Sequence, residues 1–129
     1  MNLRADLLFL LGMLLPPVLL ALTFRFVWPA PRKTIVMQVL VVTLVPLALL
    51  SAYMVFEYRT WRWSVFPYGS LAPHALAAAI FLVSFSFLLW KATAPSSAKL
   101  AVASVTIVSW VILWFITAFF TACAMGDCL

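Results

Sequence analysis

Four long stretches of this chain contain no Asp, Glu, Lys or Arg, and each is about as long as a bilayer is thick. The first runs from Leu7 to Phe24, and the others cover residues 34–56, 70–90 and 100–126. At a rise of about 1.5 Å per residue, roughly twenty apolar residues cross the hydrocarbon core of a membrane. A helix satisfies its own backbone hydrogen bonds in lipid, so each stretch predicts a transmembrane helix.

Composition favours a membrane protein over a soluble domain with a large core. Of 129 residues, 67% are hydrophobic and 9% are charged, whereas soluble domains carry about 25% charged residues. The net charge of +5 does not indicate nucleic-acid binding, because the bases flank the apolar stretches and form no basic recognition helix. We therefore predict an all-α integral membrane protein with a single domain over residues 1–129.

Turn signals between the apolar stretches define the predicted topology. Short turns rich in proline, serine and basic residues follow the first and third stretches, and a longer loop over residues 57–69 follows the second. Two prolines stop the first helix, because proline cannot donate the backbone hydrogen bond that a helix needs. We expect two helical hairpins joined by an outer aromatic loop, with spans at about 5–28, 34–56, 70–90 and 98–124.

The loop over residues 57–69 is the only long polar and aromatic segment. Tryptophan, tyrosine and arginine side chains prefer the level of the lipid headgroups, so an interfacial segment is predicted. It serves either as a docking surface for a partner protein or lipid, or as an ordinary aromatic belt. The candidate contact residues are Trp61, Arg62, Trp63, Phe66 and Tyr68.

Three prolines fall in the interior of the predicted spans, Pro16 and Pro17 in the first and Pro46 in the second, whereas Pro73 lies in the first turn of the third, where proline is tolerated. Each of the three lacks a backbone donor, and its ring crowds the carbonyl group four residues earlier, so helix kinks are expected. Such a kink acts either as a hinge or ligand cleft, or as a packing bend that neighbouring helices support.

Small residues predict where helices approach one another closely. In the third span they recur at spacings of four and seven, and a second stripe begins the fourth span. The two stripes are Ala75, Ala79 and Ser86, and Ser97, Ala101 and Ser104.

Two tryptophans lie near the middle of the fourth span, away from the headgroup level. Trp110 and Trp114 are four residues apart and therefore share one helical face. A buried indole N–H needs an acceptor, so this face is predicted to contact the bundle or a partner subunit, near Thr106 or Thr117.

Charge asymmetry predicts an orientation. The two short turns carry five bases and no acid, whereas the opposite end carries Arg4, Arg59 and Arg62 together with all three acids. Basic residues are retained on the cytoplasmic side. We expect the short turns inside, and the aromatic loop and both termini outside, in a bacterial inner membrane.

Cys123 and Cys128 would then lie in an oxidising compartment, where a disulfide is plausible. We interpret the pair as a structural link and not as a redox centre. Their spacing is not Cys-x-x-Cys, and no neighbouring base lowers a thiol pKa.

No catalytic, cofactor-binding or metal-binding constellation is predicted. His74 is the only histidine, and with two cysteines it gives too few ligands for a metal; we expect it to cap a helix or lie at the interface. The S-x-x-K pattern over residues 96–99 lacks the companion motifs of serine acyl-enzymes. No ionisable residue lies in the central part of any span, where ion-coupled transporters keep one.

The sequence therefore predicts a small non-enzymatic membrane protein that binds another membrane protein or self-associates. It would serve as an accessory or assembly subunit of a complex, or as an immunity-type protein. The alternative is an oligomeric channel or carrier for an uncharged or lipid-like substrate. Neither function requires a cofactor.

Overall fold

The computed structural model describes residues 3–28, 32–61 and 71–126, and all regular structure within these ranges is helical. The helices are α1 (Leu3–Phe26), α2 (Lys33–Trp61), α3 (Leu71–Lys91) and α4 (Ser96–Ala124). The all-α prediction is confirmed.

Three of the helices are long and apolar enough to cross a membrane. These segments are Lys33–Thr60, Leu71–Lys91 and Ser96–Ala124. In α1 the corresponding apolar segment among the described residues is the shorter Leu10–Phe26. These lengths and compositions are consistent with an integral membrane protein.

Large apolar side chains cover the outside of every helix. Leu8 on α1, Met37 on α2, Val83 on α3 and Leu100 on α4 are all exposed. A helix at the surface of a soluble protein keeps its outward face polar, whereas a helix that is apolar all round suits a membrane span. The outer surface of the bundle is therefore matched to lipid.

Helix packing differs from the predicted pair of sequential hairpins. The closest pairs are α1 with α4 and α2 with α3, and α2 also packs on α4. Each of these pairs joins one helix from the first half of the chain to one from the second half. The predicted pairing of α1 with α2, and of α3 with α4, is therefore not the pairing that dominates.

Side-chain size explains this pairing. At Gly12 an added Cβ would lie 3.2 Å from Cδ1 of Ile116, so α1 approaches α4 closely there. The hydroxyls of Ser51 and Thr121, 3.0 Å apart, join α2 to α4 through two short side chains. Between α3 and α4, by contrast, contact is made by large aromatic side chains, the stacked rings of Phe81 and Trp110.

The second helix is longer than predicted. It continues through Glu57 to Trp61, so the first five residues of the predicted loop are helical. The sequence offers no glycine or proline to stop the helix before Pro67. The hydroxyl of Thr60 also donates to the carbonyl of Phe56 at 2.8 Å, which keeps that side chain within the helix. Residues 62–69 of the predicted loop lie outside the described residues.

Helices α1 and α2 continue through their internal prolines. The rings of Pro16 and Pro46 are fully buried, whereas Pro17 is exposed. Because the rings of Pro16 and Pro46 are buried, they contact protein. This is expected where neighbouring side chains support the carbonyl groups that proline leaves without a backbone hydrogen bond. The kinks themselves stay predictions.

Candidate functional site

The predicted loop site is only partly described. Trp61 is the last residue of α2, and Arg62, Trp63, Phe66 and Tyr68 lie outside the described residues. The docking role of this segment stays a prediction.

The structure brings Trp110 and Trp114 to the interface between α3 and α4. Trp110 is 7% exposed, and its ring stacks on that of Phe81 with centroids 4.6 Å apart and planes 6° apart. Phe81 in turn stacks on Phe85 at 5.5 Å. The sequence left open what these tryptophans contact, and for Trp110 the contact is α3 of the same chain.

Trp114 takes a different hydrogen-bond partner from the two threonines that the sequence suggested. Its indole N–H donates to Nδ1 of His74 at 3.2 Å, and the two rings meet edge to face at 88°. Because Nδ1 accepts this bond, it carries no proton in this arrangement. The bond connects the first turn of α3 to α4.

His74 was predicted to cap a helix or lie at the interface, but it is buried. A sequence signal for this contact existed. A half-buried indole N–H requires an acceptor, and His74 is the only imidazole in the chain. The separation of forty residues between the two rings hid their proximity.

Three buried polar atoms lie next to one another along α4. They are Oγ1 of Thr106, Oγ of Ser109 and Nε1 of Trp110, and none has a hydrogen-bond partner among the described residues. Spacings of three and four residues place them on one helical face. Buried groups of this kind are commonly satisfied by internal water. The interior face of α4 can therefore donate and accept hydrogen bonds.

The small-residue stripe of α3, on which another helix was predicted to pack closely, faces outward from the helices described. Ala75, Ala79 and Ser86 are all exposed. The opposite face of α3 is buried instead, because the phenylalanine rings on that face provide a larger contact area than alanine and serine do. Its buried residues are Pro73, His74, Ala77, Phe81 and Phe85.

The predicted small-residue stripe of α4 is also mainly exposed and not buried against the other helices. Ser97 and Ser104 are exposed, and Ala101 is half-buried. The hydroxyl of Ser104 donates back to the carbonyl of Leu100 at 2.9 Å, so it has a partner within its own helix.

The two short turns meet at one end of the bundle, where a groove of about 680 Å³ opens between α2 and α3. Arg32 and Lys91 line it, followed by apolar side chains deeper along both helices. The ammonium group of Lys91 lies 4.5 Å from the centre of the Phe87 ring, within range of a cation–π interaction. Two of the five bases that the sequence assigned to one end therefore line one groove.

The cysteine pair is described at one of its two positions. Cys123 lies in the last turn of α4, which ends at Ala124, and Gly126 follows with a φ of 92°. Glycine adopts this left-handed conformation without strain, so the chain can change direction there. Cys128 lies outside the described residues, and the disulfide stays a prediction.

Within the described ranges, no group of three or more His, Cys, Asp or Glu side chains could hold a metal ion. No protein-family model, curated protein or solved structure matches this chain. Over its described residues the chain is all-α, with four helices, three of which are long and apolar enough to cross a membrane.

Proposed function

We propose that this chain crosses the membrane four times and acts by binding another membrane protein. In this role it is an accessory or assembly subunit of a complex, or an immunity-type protein. The observation that carries the proposal is the outward-facing small-residue stripe of α3, formed by Ala75, Ala79 and Ser86. The chain itself provides no helix that covers this stripe among the helices described.

Small residues favour contact with another helix over contact with lipid. Lipid tails are as apolar as leucine, so helices associate in membranes mainly through van der Waals packing and hydrogen bonds. A row of alanines lets a second backbone approach closely, and a serine hydroxyl can bond across the contact. The exposed side chains of Leu76 and Val83 flank the stripe on one of its sides.

Replacing Ala79 with leucine tests this proposal. The added side chain fills the stripe, so we expect recovery of the bound membrane protein in mild detergent to fall at least about tenfold, the effect of losing about 1.4 kcal/mol. The matched control is Ala21→Leu, because Ala21 is exposed on α1 outside the stripe. The measurement is quantitative mass spectrometry of what co-purifies with each variant. Equal recovery from both variants contradicts the proposal.

The groove between α2 and α3 supports a second candidate, an oligomeric carrier or channel for an uncharged or lipid-like substrate. Its volume of about 680 Å³ falls within the range of pockets that hold small molecules. Purification in mild detergent separates the two candidates. A heterologous subunit supports the accessory function, and a symmetric oligomer of this chain alone supports the carrier.

The proposed orientation has the two short turns inside and both termini outside, in a bacterial inner membrane. It is supported by charge, because Glu57 lies about 36 Å from Lys33 along α2 and the short-turn end has no acid. A cysteine in place of Ser97 should be labelled only from the inside, and one in place of Thr60 only from the outside. Both are tested in a background without Cys123 and Cys128. Outside labelling at position 97 contradicts the orientation, and with it the reason to expect a disulfide.

A further inference from the structure

We propose that the groove at the short-turn end binds one anionic phospholipid. The headgroup phosphate lies between Arg32 and Lys91, and an acyl chain follows the apolar wall between α2 and α3. This inference does not depend on the partner-binding stripe, which lies on another face of α3.

The mouth of the groove carries positive charge, and none of the described residues that line the groove is an acid. Arg32 and Lys91 both line the groove and are both exposed. The nearest acid along α2 is Glu57, which lies at the opposite end of that helix. The other two acids are Asp6 and Asp127. In the sequence, each is separated from the nearest short turn by most of a helix, α1 for Asp6 and α4 for Asp127. An anionic group is therefore the complementary ligand.

The start of α2 adds to this preference. The helix begins at Lys33, and Thr34 in its first turn lines the groove. The N–H groups of Ile35 and Val36 donate to the carbonyl of Arg32, so the N–H groups of Lys33 and Thr34 are the ones left without a partner within the helix. The helix dipole favours negative charge beside them. The first turn of α2 contains no acidic residue that would occupy that position.

The depth of the groove matches an amphiphile and exceeds what a simple anion needs. From Thr34 to Val42 the lining extends about 12 Å along α2, and from Lys91 to Ser84 about 10 Å along α3. Val41 and Phe87 along this path are apolar and exposed. Basic pockets between transmembrane helices are where anionic lipid headgroups bind.

Two polar groups line the groove among its apolar side chains. Gln38 lies about 9 Å from Arg32 along α2, and Ser84 lies at the deep end of the lining on α3, beyond Phe87. Their amide and hydroxyl groups can donate hydrogen bonds to ester oxygens of a bound lipid. The bases lie at the mouth and the lining beyond them is mainly apolar, which is the order of headgroup and acyl chain in a phospholipid.

The test measures lipid binding by the full-length protein in detergent, by native mass spectrometry with added phosphatidylglycerol. Each base near a membrane surface contributes about 1 kcal/mol to anionic lipid binding. We therefore expect Arg32→Gln/Lys91→Gln to lower the affinity for phosphatidylglycerol about thirtyfold. Both side chains are exposed, so the fold should be retained, and circular dichroism checks that it is.

The matched control is Arg25→Gln/Lys99→Gln, which removes two bases from the same end that do not line the groove. We expect this control to change the affinity less than about threefold, since only general attraction to the anionic surface is reduced. Equal losses in the two double variants overturn the site.

A second pair of variants tests the acyl-chain wall. Val41→Trp narrows the groove and should weaken phosphatidylglycerol binding, whereas Leu44→Trp, exposed on α2 outside the lining, should not. Phosphatidylcholine, which has no net charge, should bind the wild-type protein at least about tenfold more weakly. Equal binding of phosphatidylcholine, or displacement of the lipid by an equal concentration of glycerol phosphate, overturns the proposal.

Discussion

Replacing Trp110 with alanine should lower the free energy of unfolding by about 3 kcal/mol, the low end of the range for a large aromatic residue in a core. The low end applies because the side chain is also surrounded by apolar groups when the protein is unfolded in a membrane. Unfolding therefore costs mainly the packing contacts of the ring. Trp110 is 7% exposed, and its ring stacks on Phe81 at 4.6 Å, so its removal leaves a cavity between α3 and α4.

The measurement is reversible unfolding by sodium dodecyl sulfate in mixed micelles, followed by circular dichroism because the substitution removes a fluorophore. Trp90→Ala is the matched control, since Trp90 on α3 is 81% exposed. We expect its effect to stay within about 0.5 kcal/mol, as for other exposed positions. A loss at Trp110 no larger than the loss at Trp90 contradicts the packing described for α4.

Replacing Phe81 with alanine should cost a similar amount, about 3 kcal/mol. Phe81 is 1% exposed and stacks on two rings, those of Phe85 and Trp110. Its loss therefore removes contacts within α3 and between α3 and α4. Phe115→Ala is the matched control, because Phe115 on α4 is 65% exposed. The same unfolding measurement applies.

Combining the two substitutions measures the stacked pair itself. Because the rings of Phe81 and Trp110 touch, their effects should not add, and the coupling energy in a double-mutant cycle should be about 0.5–1.5 kcal/mol. A cycle between Trp110 and the distant Trp90 should give about zero. Strict additivity of Phe81→Ala and Trp110→Ala would show that the stacked contact does not form.

Hydrophobic runs were enough to predict the helices. Runs of about twenty uncharged residues allow few structures in lipid, so each of the four helices lies near its predicted position. The end of α2 was misjudged because polar residues such as Glu57 and Arg59 suggested a loop. Polar residues do not stop a helix, and the sequence has no breaking residue there.

Packing was harder to predict, because every face of these helices is apolar. In a soluble protein the period of hydrophobic residues identifies the buried face. Ala79 and Phe81 lie on opposite sides of α3, and from the sequence either side could be the one that packs. The structure shows that Phe81 is buried and Ala79 is exposed. The sequence indicated that the indole of Trp114 needs an acceptor, but the choice of His74 depends on how α3 and α4 are aligned, which the sequence does not show.

The pairing of α1 with α4, and of α2 with both α3 and α4, has a consequence for biosynthesis. When α1 and α2 leave the ribosome, neither has yet met the helix on which it packs most closely. If α1 crosses the bilayer as proposed, it stays there without its main partner until α4 has been translated. Its alignment with α4, including the contact between Gly12 and Ile116, then follows the synthesis of α4. In the proposed four-span arrangement, the packing of α1 is therefore a late step of assembly.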